Sequence, residues 1–485
     1  MIYNELFEWQ KELVDKIKTR NSYGLFLDCG LGKTPISLAL AEANLCDKIL
    51  IITLASKVIE SDKNSFEGWL KKLNYPINIV KLSGESKPKD LSFDTETDTA
   101  LIVNYEYLHD RKTDKKKGVT LRKEITDFLK SCDEKRVALI LDESHEIKNQ
   151  STTRSKALSK IQSLLKVYAS KTYTYLLTGT PFTVGYIDLY NQLKMLGLDQ
   201  TKEWFKDRFC VRGSIRGLLE WQQPIIGYKN IDRLFELVHR YAFTIESQDV
   251  IKLPEQIWDN RPIESNPSFD LLTREKIKGM PNMFYRNLAY PEMKYLAGTA
   301  GALWLRARQI NIGFQGNEED STWYDRTRLD ELKKFLTENP DNYVLFYNYV
   351  PELLELYDIC EELGYKVDVF SGEVKSLVYY DQYANLTPSQ KLVDKKRIIL
   401  ANFASGSTGK NWQEYNRCII FSLPVYIHWA QGIKRIHRIG QDKPVIYHVF
   451  YSNNWLDKRM YESLMQKKEY NEDLFMADLN NYGAS

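Results

Sequence analysis

Lys33 follows two glycines and precedes a hydroxyl residue in the run LDCGLGKT, Leu27 to Thr34. Bare backbone beside a fixed positive charge suits a phosphate. Gly30 and Gly32 let main-chain N–H groups approach an anion closely. Lys33 reaches the β- and γ-phosphates of a nucleotide as a point charge, and Thr34 places a hydroxyl on Mg2+. The full phosphate-loop pattern has glycine where this chain has Leu27, so the match is partial. Taken alone, the loop also reads as an ordinary strand-to-helix turn. A partner stands downstream: the apolar run Val137 to Leu141 ends in Asp142 and Glu143. Asp142 is suited to hold Mg2+ through its water shell, and Glu143 to orient or polarise an attacking water. An isolated Asp-Glu pair is usually a solvated turn; with the lysine loop upstream, it points to ATP hydrolysis.

Two further segments add to this. Thr178, Gly179, Thr180 and Pro181 close another apolar run, where small hydroxyl residues could sense the nucleotide and touch the acidic pair. Far along the chain, Arg435 and Arg438 are three apart and share one face if helical. Planar guanidinium groups there could neutralise a departing γ-phosphate if that face closed over the first domain. A solvated basic helix face is the other reading. The stretch ASGSTGKNWQ, Ala404 to Gln413, is a plain loop or one that couples nucleotide to polymer.

The elements that must position these residues are short apolar runs. In the first part they begin at Tyr23, Lys48, Ala100, Val137 and Tyr173; in the last part they begin at Tyr343, Lys366, Arg397, Arg417 and Val445. Branched and aromatic residues at consecutive positions suit strands buried on both faces, hence parallel sheets covered by helices. Residues from about 200 to 330 lack this rhythm and read as helical and irregular. The expectation is an α/β chain of two parallel-sheet lobes with a helical insert. Lobe 1, with the start of a helical protrusion, spans 1–250, the insert and linker 251–328, and lobe 2 329–485.

Composition narrows the function class. The chain has 485 residues, 43% of them hydrophobic and 27% charged, with a formal net charge of +2. Nothing global marks a nucleic-acid binder, so any such surface is local. The six cysteines form no CxxC pair and no metal-ligand spacing, which predicts reduced thiols and a cytoplasmic setting. No apolar stretch is long enough to span a membrane, so no membrane partner is expected.

Together these motifs resemble superfamily 2 helicase-type motors, and within them the Swi/Snf family of double-stranded-DNA translocases. The family's motifs are matched by GLGKT from Gly30, LDESHEIKN from Leu141, LLTGTP from Leu176 and QGIKRIHRIGQ from Gln431 to Gln441. The His-Arg-Ile-Gly-Gln run is specific to that family. LIVNYEYL (Leu101 to Leu108), VIKLPEQ (Val250 to Gln256) and LWLRARQINIGF (Leu303 to Phe314) extend the likeness nearly end to end. Gln256, Ser407, Thr408 and Lys410 depart from the family pattern.

The resemblance implies two RecA-like lobes, ATP and Mg2+ as cofactors, and double-stranded DNA as a partner gripped through its backbone. It implies catalytic roles for Lys33, Asp142, Glu143, Arg435 and Arg438, and metal contacts through Thr34 and Asp142. Gln10, Gly30, Gly32, Lys33, Thr34 and Gln431 are the implied nucleotide contacts, with Gln10 reading the adenine. Ser56, Lys57, Asn104 and Tyr105 would touch one DNA strand, and Arg208, Arg212, Arg216, Arg306 and Arg308 would lie near the duplex. No segment resembles a bromodomain, a chromodomain, a nuclease or a zinc site. The chain reads as a bare motor, similar to small annealing-helicase-like members of bacteria and their viruses.

The leading expectation is translocation on, or remodelling of, double-stranded DNA. A strand-separating DNA or RNA helicase of the same superfamily is the alternative. A metabolic phosphotransferase or a non-catalytic binding protein fits the motifs less well. No hairpin-like wedge is evident between Tyr343 and Phe450, where residues 371–396 are irregular.

Overall fold

Branched and aromatic residues on consecutive positions can be covered on both sides only between layers of helices. The computed structural model builds each such run of the sequence into a parallel strand. It describes residues 1–84, 91–110, 118–182, 185–213, 219, 223, 225–245, 253–267, 269, 285–286, 294–295, 300–316, 321–371, 396–406, 412–466, 468 and 470–481. The chain divides into two compact units, Met1–Ile251 and Lys252–Ser485.

The first unit is built on strands β1 (Ser22–Leu27), β2 (Lys48–Thr53), β3 (Asn78–Leu82), β4 (Thr99–Asn104), β5 (Arg136–Asp142), β6 (Lys171–Leu177) and β7 (Ala242–Ile245). They lie in the order β3-β4-β2-β5-β6-β1-β7, every neighbouring pair parallel. Leu50 of β2 stands opposite Leu101 of β4 and Leu139 of β5, and all three are fully buried. Parallel direction places the carboxyl ends of all seven strands on one edge, where an open α/β sheet binds ligands. β6 lies between β1 and β5 in the sheet, so its end stands between the Lys33 loop and the acidic pair.

The second unit repeats the plan. Strands β8 (Gln256–Ile263), β9 (Tyr343–Tyr347), β10 (Lys366–Phe370), β11 (Arg397–Asn402), β12 (Arg417–Ile420) and β13 (Val445–Ser452) pair in parallel in the order β8-β13-β12-β9-β11-β10. β8 corrects the reading of residues 200–330 as helical and irregular. It pairs with β13 over its whole length at the sheet edge. Only Ile263 of this strand is buried and the rest is half-buried or exposed, so QIWDNRPI lacks the continuous apolar run of a central strand. The helix Ala300–Ile312 buries Leu303, Ala307 and Ile310, and its Trp304 packs on Tyr470 and Phe475 near the chain's end.

Arg216, Ser407, Thr408, Gly409 and Lys410 lie outside the described residues, as does 372–395, most of the irregular stretch in which a strand-separating wedge would have to lie. Among the described residues no helix is long and apolar enough to cross a membrane. All six cysteines are free thiols, five of them buried.

Candidate active site

The loop after β1 turns through two left-handed glycines, Gly30 at φ 83° and Gly32 at φ 76°. Gly32 caps the helix α2 (Lys33–Ala43), so the turn delivers the helix N-terminus to the sheet edge. A Cβ on Gly32 would lie 2.5 Å from Gln10 Nε2. That nitrogen donates to the carbonyl of Leu31 at 3.0 Å, and Gln10 Oε1 accepts from the N–H of Phe7 at 2.9 Å. Gln10 therefore joins the start of the helix α1 (Glu8–Ile17) to the loop. Lys33 Nζ donates to the carbonyls of Leu27 and Asp28 at 2.9 and 3.1 Å, which curls it over the strand end.

At the end of β5, Asp142 Oδ2 accepts from Thr53 Oγ1 and from Lys57 Nζ, each at 2.8 Å. Lys57 Nζ also lies 3.3 Å from Glu143 Oε1. Glu143 adopts φ 49°, uncommon for a residue with a side chain and a form of strain concentrated at functional sites. Burial pushes the Glu143 carboxyl towards its neutral form. The charge of Lys57, then of His145 and Lys33, outweighs that and holds it below the usual carboxylate range. Lys33 and the acidic pair thus share one electrostatic site.

The end of β6 closes the group. His145 Nδ1 lies 3.3 Å from Thr178 Oγ1 and 3.4 Å from Glu143 Oε2. Thr178 Oγ1 accepts from the N–H of Thr180 at 3.0 Å. Burial lowers the His145 pKa against the pull of Glu143 and Glu146. A Cβ on Gly179 would stand 3.2 Å from Cys29 Sγ and 3.4 Å from the Leu27 carbonyl, so the third motif packs directly on the lysine loop.

Gln10, Gly30, Gly32, Lys33, Thr34, Asp142 and Glu143 all belong to the first unit; Gln431, Arg435 and Arg438 belong to the second. Gln431 is buried in the helix Tyr426–Ile433. That helix ends before Arg435, so the two arginines sit on the turn that follows rather than on a shared helix face. The rest of the motif braces the turn. Ile436 is buried, and Gln441 Nε2 donates to the carbonyls of Gln413 and Tyr415 at 3.1 and 2.7 Å. The N–H of Trp412 donates to the Arg435 carbonyl at 2.9 Å, and His437 Nε2 lies 2.7 Å from the Pro254 carbonyl.

Several expected DNA contacts have other partners. Lys57 reaches the acidic pair. Tyr105 is fully buried and its hydroxyl donates to the Asp142 carbonyl at 2.7 Å. Asn104 is buried and donates to Glu106 at 2.9 Å. Arg306 donates to Gln309 and to the Gly316 carbonyl, and Arg308 to the Leu423 carbonyl. Arg212 pairs with Asp207, and Arg208 lies over the Trp204 ring. Ser56 is half-buried on the short helix Ala55–Ile59. Thr53 and Lys57 were missed as site residues because nothing in the sequence ties the end of β2 to the end of β5; only the sheet order does.

Residues 9–263, more than half of the chain, match the SNF2-related domain. The chain belongs to the SNF2-related family. Among proteins similar to this SNF2-related chain is the Xenopus tropicalis SWI/SNF-related matrix-associated actin-dependent regulator of chromatin subfamily A-like protein 1. It is 22% identical over 482 residues, covering 96% of this chain and 44% of that protein. An uncharacterized ATP-dependent helicase of Mycoplasma pneumoniae is 21% identical over 499 residues, covering 98% and 42%. The chain thus spans less than half the length of these relatives. Among solved structures, the Sulfolobus solfataricus SWI2/SNF2 ATPase core in complex with dsDNA covers 95% of this chain and 91% of its own, at 21% identity and a TM-score of 0.36.

Proposed function

We propose that this SNF2-related chain is an ATP-dependent motor that translocates on or remodels double-stranded DNA. The observation that carries the reading is the convergence of Lys33, Asp142, Glu143 and Thr178 on one edge of a parallel sheet. The start of α2 offers main-chain N–H groups, and Lys33 a charge, to the phosphates of ATP. Glu143, held ionised, orients the attacking water. Thr34 and Asp142 offer a hydroxyl and a carboxylate, hard oxygen donors that suit Mg2+. The ion supplies neutralising charge to the phosphates when bound. Gln10, joined to the loop through Leu31, is assigned to the adenine. Arg435 and Arg438, with Gln431, are assigned to the γ-phosphate on the likeness of their motif.

The choice of polymer rests on the relatives, named a regulator of chromatin and an ATP-dependent helicase. Duplex DNA gripped by its backbone gives a sequence-independent, salt-sensitive interaction. ATP hydrolysis measured alone and then with duplex, forked DNA, single strands and RNA tests the reading. Duplex or forked DNA should stimulate most. Stimulation mainly by single strands would favour a strand-separating helicase, and absence of hydrolysis under every condition would sink the ATPase reading. Lys33→Ala should abolish turnover and leave the fold intact.

A further inference from the structure

Lys57 has no role in the site as read from the motifs, yet it is the cation closest to the acidic pair among the contacts described above. It projects from the helix Ala55–Ile59 that follows β2. Its ammonium lies 2.8 Å from Asp142 Oδ2 and 3.3 Å from Glu143 Oε1. The geometry is enclosed: the Lys57 side chain is 21% exposed and that of Asp142 3%. The oxygen it contacts also accepts from Thr53. Both hydrogen bonds to the Asp142 carboxylate therefore converge on Oδ2.

We propose that Lys57 is a built-in counter-ion that competes with the divalent cation for Asp142 and must yield when Mg·ATP loads. This rests on the reading of Asp142 as the metal-binding carboxylate. Two positive groups cannot share contact with one buried carboxylate without strong repulsion, because screening by water is weak there. Arrival of the divalent ion displaces the ammonium from Oδ2. Glu143 offers it a second carboxylate within reach, so the side chain can shift its contact without entering solvent. Lys57 acts in this way as a positioning residue. It keeps the acidic pair ordered and charge-balanced until the metal arrives, and sets how strongly metal and nucleotide binding reinforce each other.

The readout is binding, not turnover. The affinity of the whole chain for a non-hydrolysable ATP analogue is measured by calorimetry with Mg2+ and with a chelator. The ratio of the two affinities is the metal's contribution. In Lys57→Met this ratio should exceed that of the wild type by about tenfold or more, since a repelling charge has gone. Lys57→Arg should keep the wild-type ratio. Lys57→Gln, which can still donate to Oδ2 without charge, should resemble Lys57→Met and carries the test if the methionine variant does not fold. An unchanged or smaller ratio in the neutral variant overturns the proposal. Asp142→Asn separates this from the reading on which it rests. If that variant keeps the full Mg2+ contribution, Asp142 is not the metal-binding carboxylate and the site assignment fails. If it loses the contribution while Lys57→Met leaves it unchanged, only the role given to Lys57 fails.

Discussion

Gln10 donates from Nε2 to the carbonyl of Leu31 at 3.0 Å, and the same nitrogen closes the space above Gly32. The loop that faces the phosphates is thus held by a side chain from the helix before β1. Gly32→Ala meets both a left-handed backbone and this nitrogen. The backbone term alone is about 1–2 kcal/mol. Thermal melting should fall accordingly, and affinity for an ATP analogue should drop by about tenfold as Gln10 is pushed aside. A variant that melts and binds like the wild type would show that the loop relaxes freely.

Glu143→Gln keeps the shape of the acidic site and removes one charge. ATP and Mg2+ should still bind, while turnover falls by about 10²- to 10⁴-fold, the usual contribution of a group that positions or deprotonates a nucleophile. Single-turnover hydrolysis separates the two effects. Rapid turnover would move the role to another residue.

Tyr105→Phe removes a buried hydroxyl from the Asp142 carbonyl. Losing one buried hydrogen bond costs about 0.5–1.5 kcal/mol. Chemical denaturation should register the loss. Affinity for duplex DNA should hold, because this ring lies inside the fold. Weakened DNA binding at unchanged stability would restore the contact expected from sequence.

Arg435→Ala and Arg438→Ala should each lower turnover by about 10³- to 10⁵-fold, the range for an arginine that stabilises a phosphoryl transition state. Binding of DNA should change less. A variant that hydrolyses normally yet loses DNA would assign the turn to the polymer instead.

His448 gives a pH signature outside the active site. Burial holds its pKa below the ordinary 6.5; the hydrogen bond that its Nδ1 makes to Asp259 opposes this, and Arg261 and Arg417 reinforce it. Below 6.5 the unfolded chain takes up a proton that the folded one resists, so stability falls as pH drops through this range. Asp259, its pKa lowered in the fold by His448 and Arg261 against burial, loses stability in the same direction at lower pH. In His448→Gln the decline of melting temperature between about pH 7 and about pH 5 should be shallower than in the wild type. His145, also lowered by burial, titrates in both proteins and leaves the difference intact. Equal slopes would remove His448 as a source.

The central strands were legible because their apolar runs have no other stable placement. Val137 to Leu141 is buried throughout, and the strand extends one residue either side of the run. Of the edge strands, Lys366–Phe370 keeps an apolar run and was legible, whereas Asn78–Leu82 and Gln256–Ile263 mix polar with apolar residues, are less covered, and were not. The acidic pair and the lysine loop could be found since each carries its chemistry in a few adjacent residues. The partnership of Lys57 with Asp142 could not. It depends on β2 and β5 being neighbours in the sheet, although Lys57 and Asp142 are 85 positions apart in the chain. The three-residue spacing of Arg435 and Arg438 gives a shared face only in a helix, and the helix stops at Ile433, which the spacing alone does not tell.

The turn that carries Arg435 and Arg438 is laced to Trp412, Gln413 and Tyr415 through main-chain oxygens and nitrogens. Gln441 supplies two of those laces from one amide. The main chain at Arg435 directly, and at Arg438 by way of Gln441, is therefore moored to one short segment, Trp412 to Tyr415, so the backbone bearing both guanidinium groups has a single anchorage.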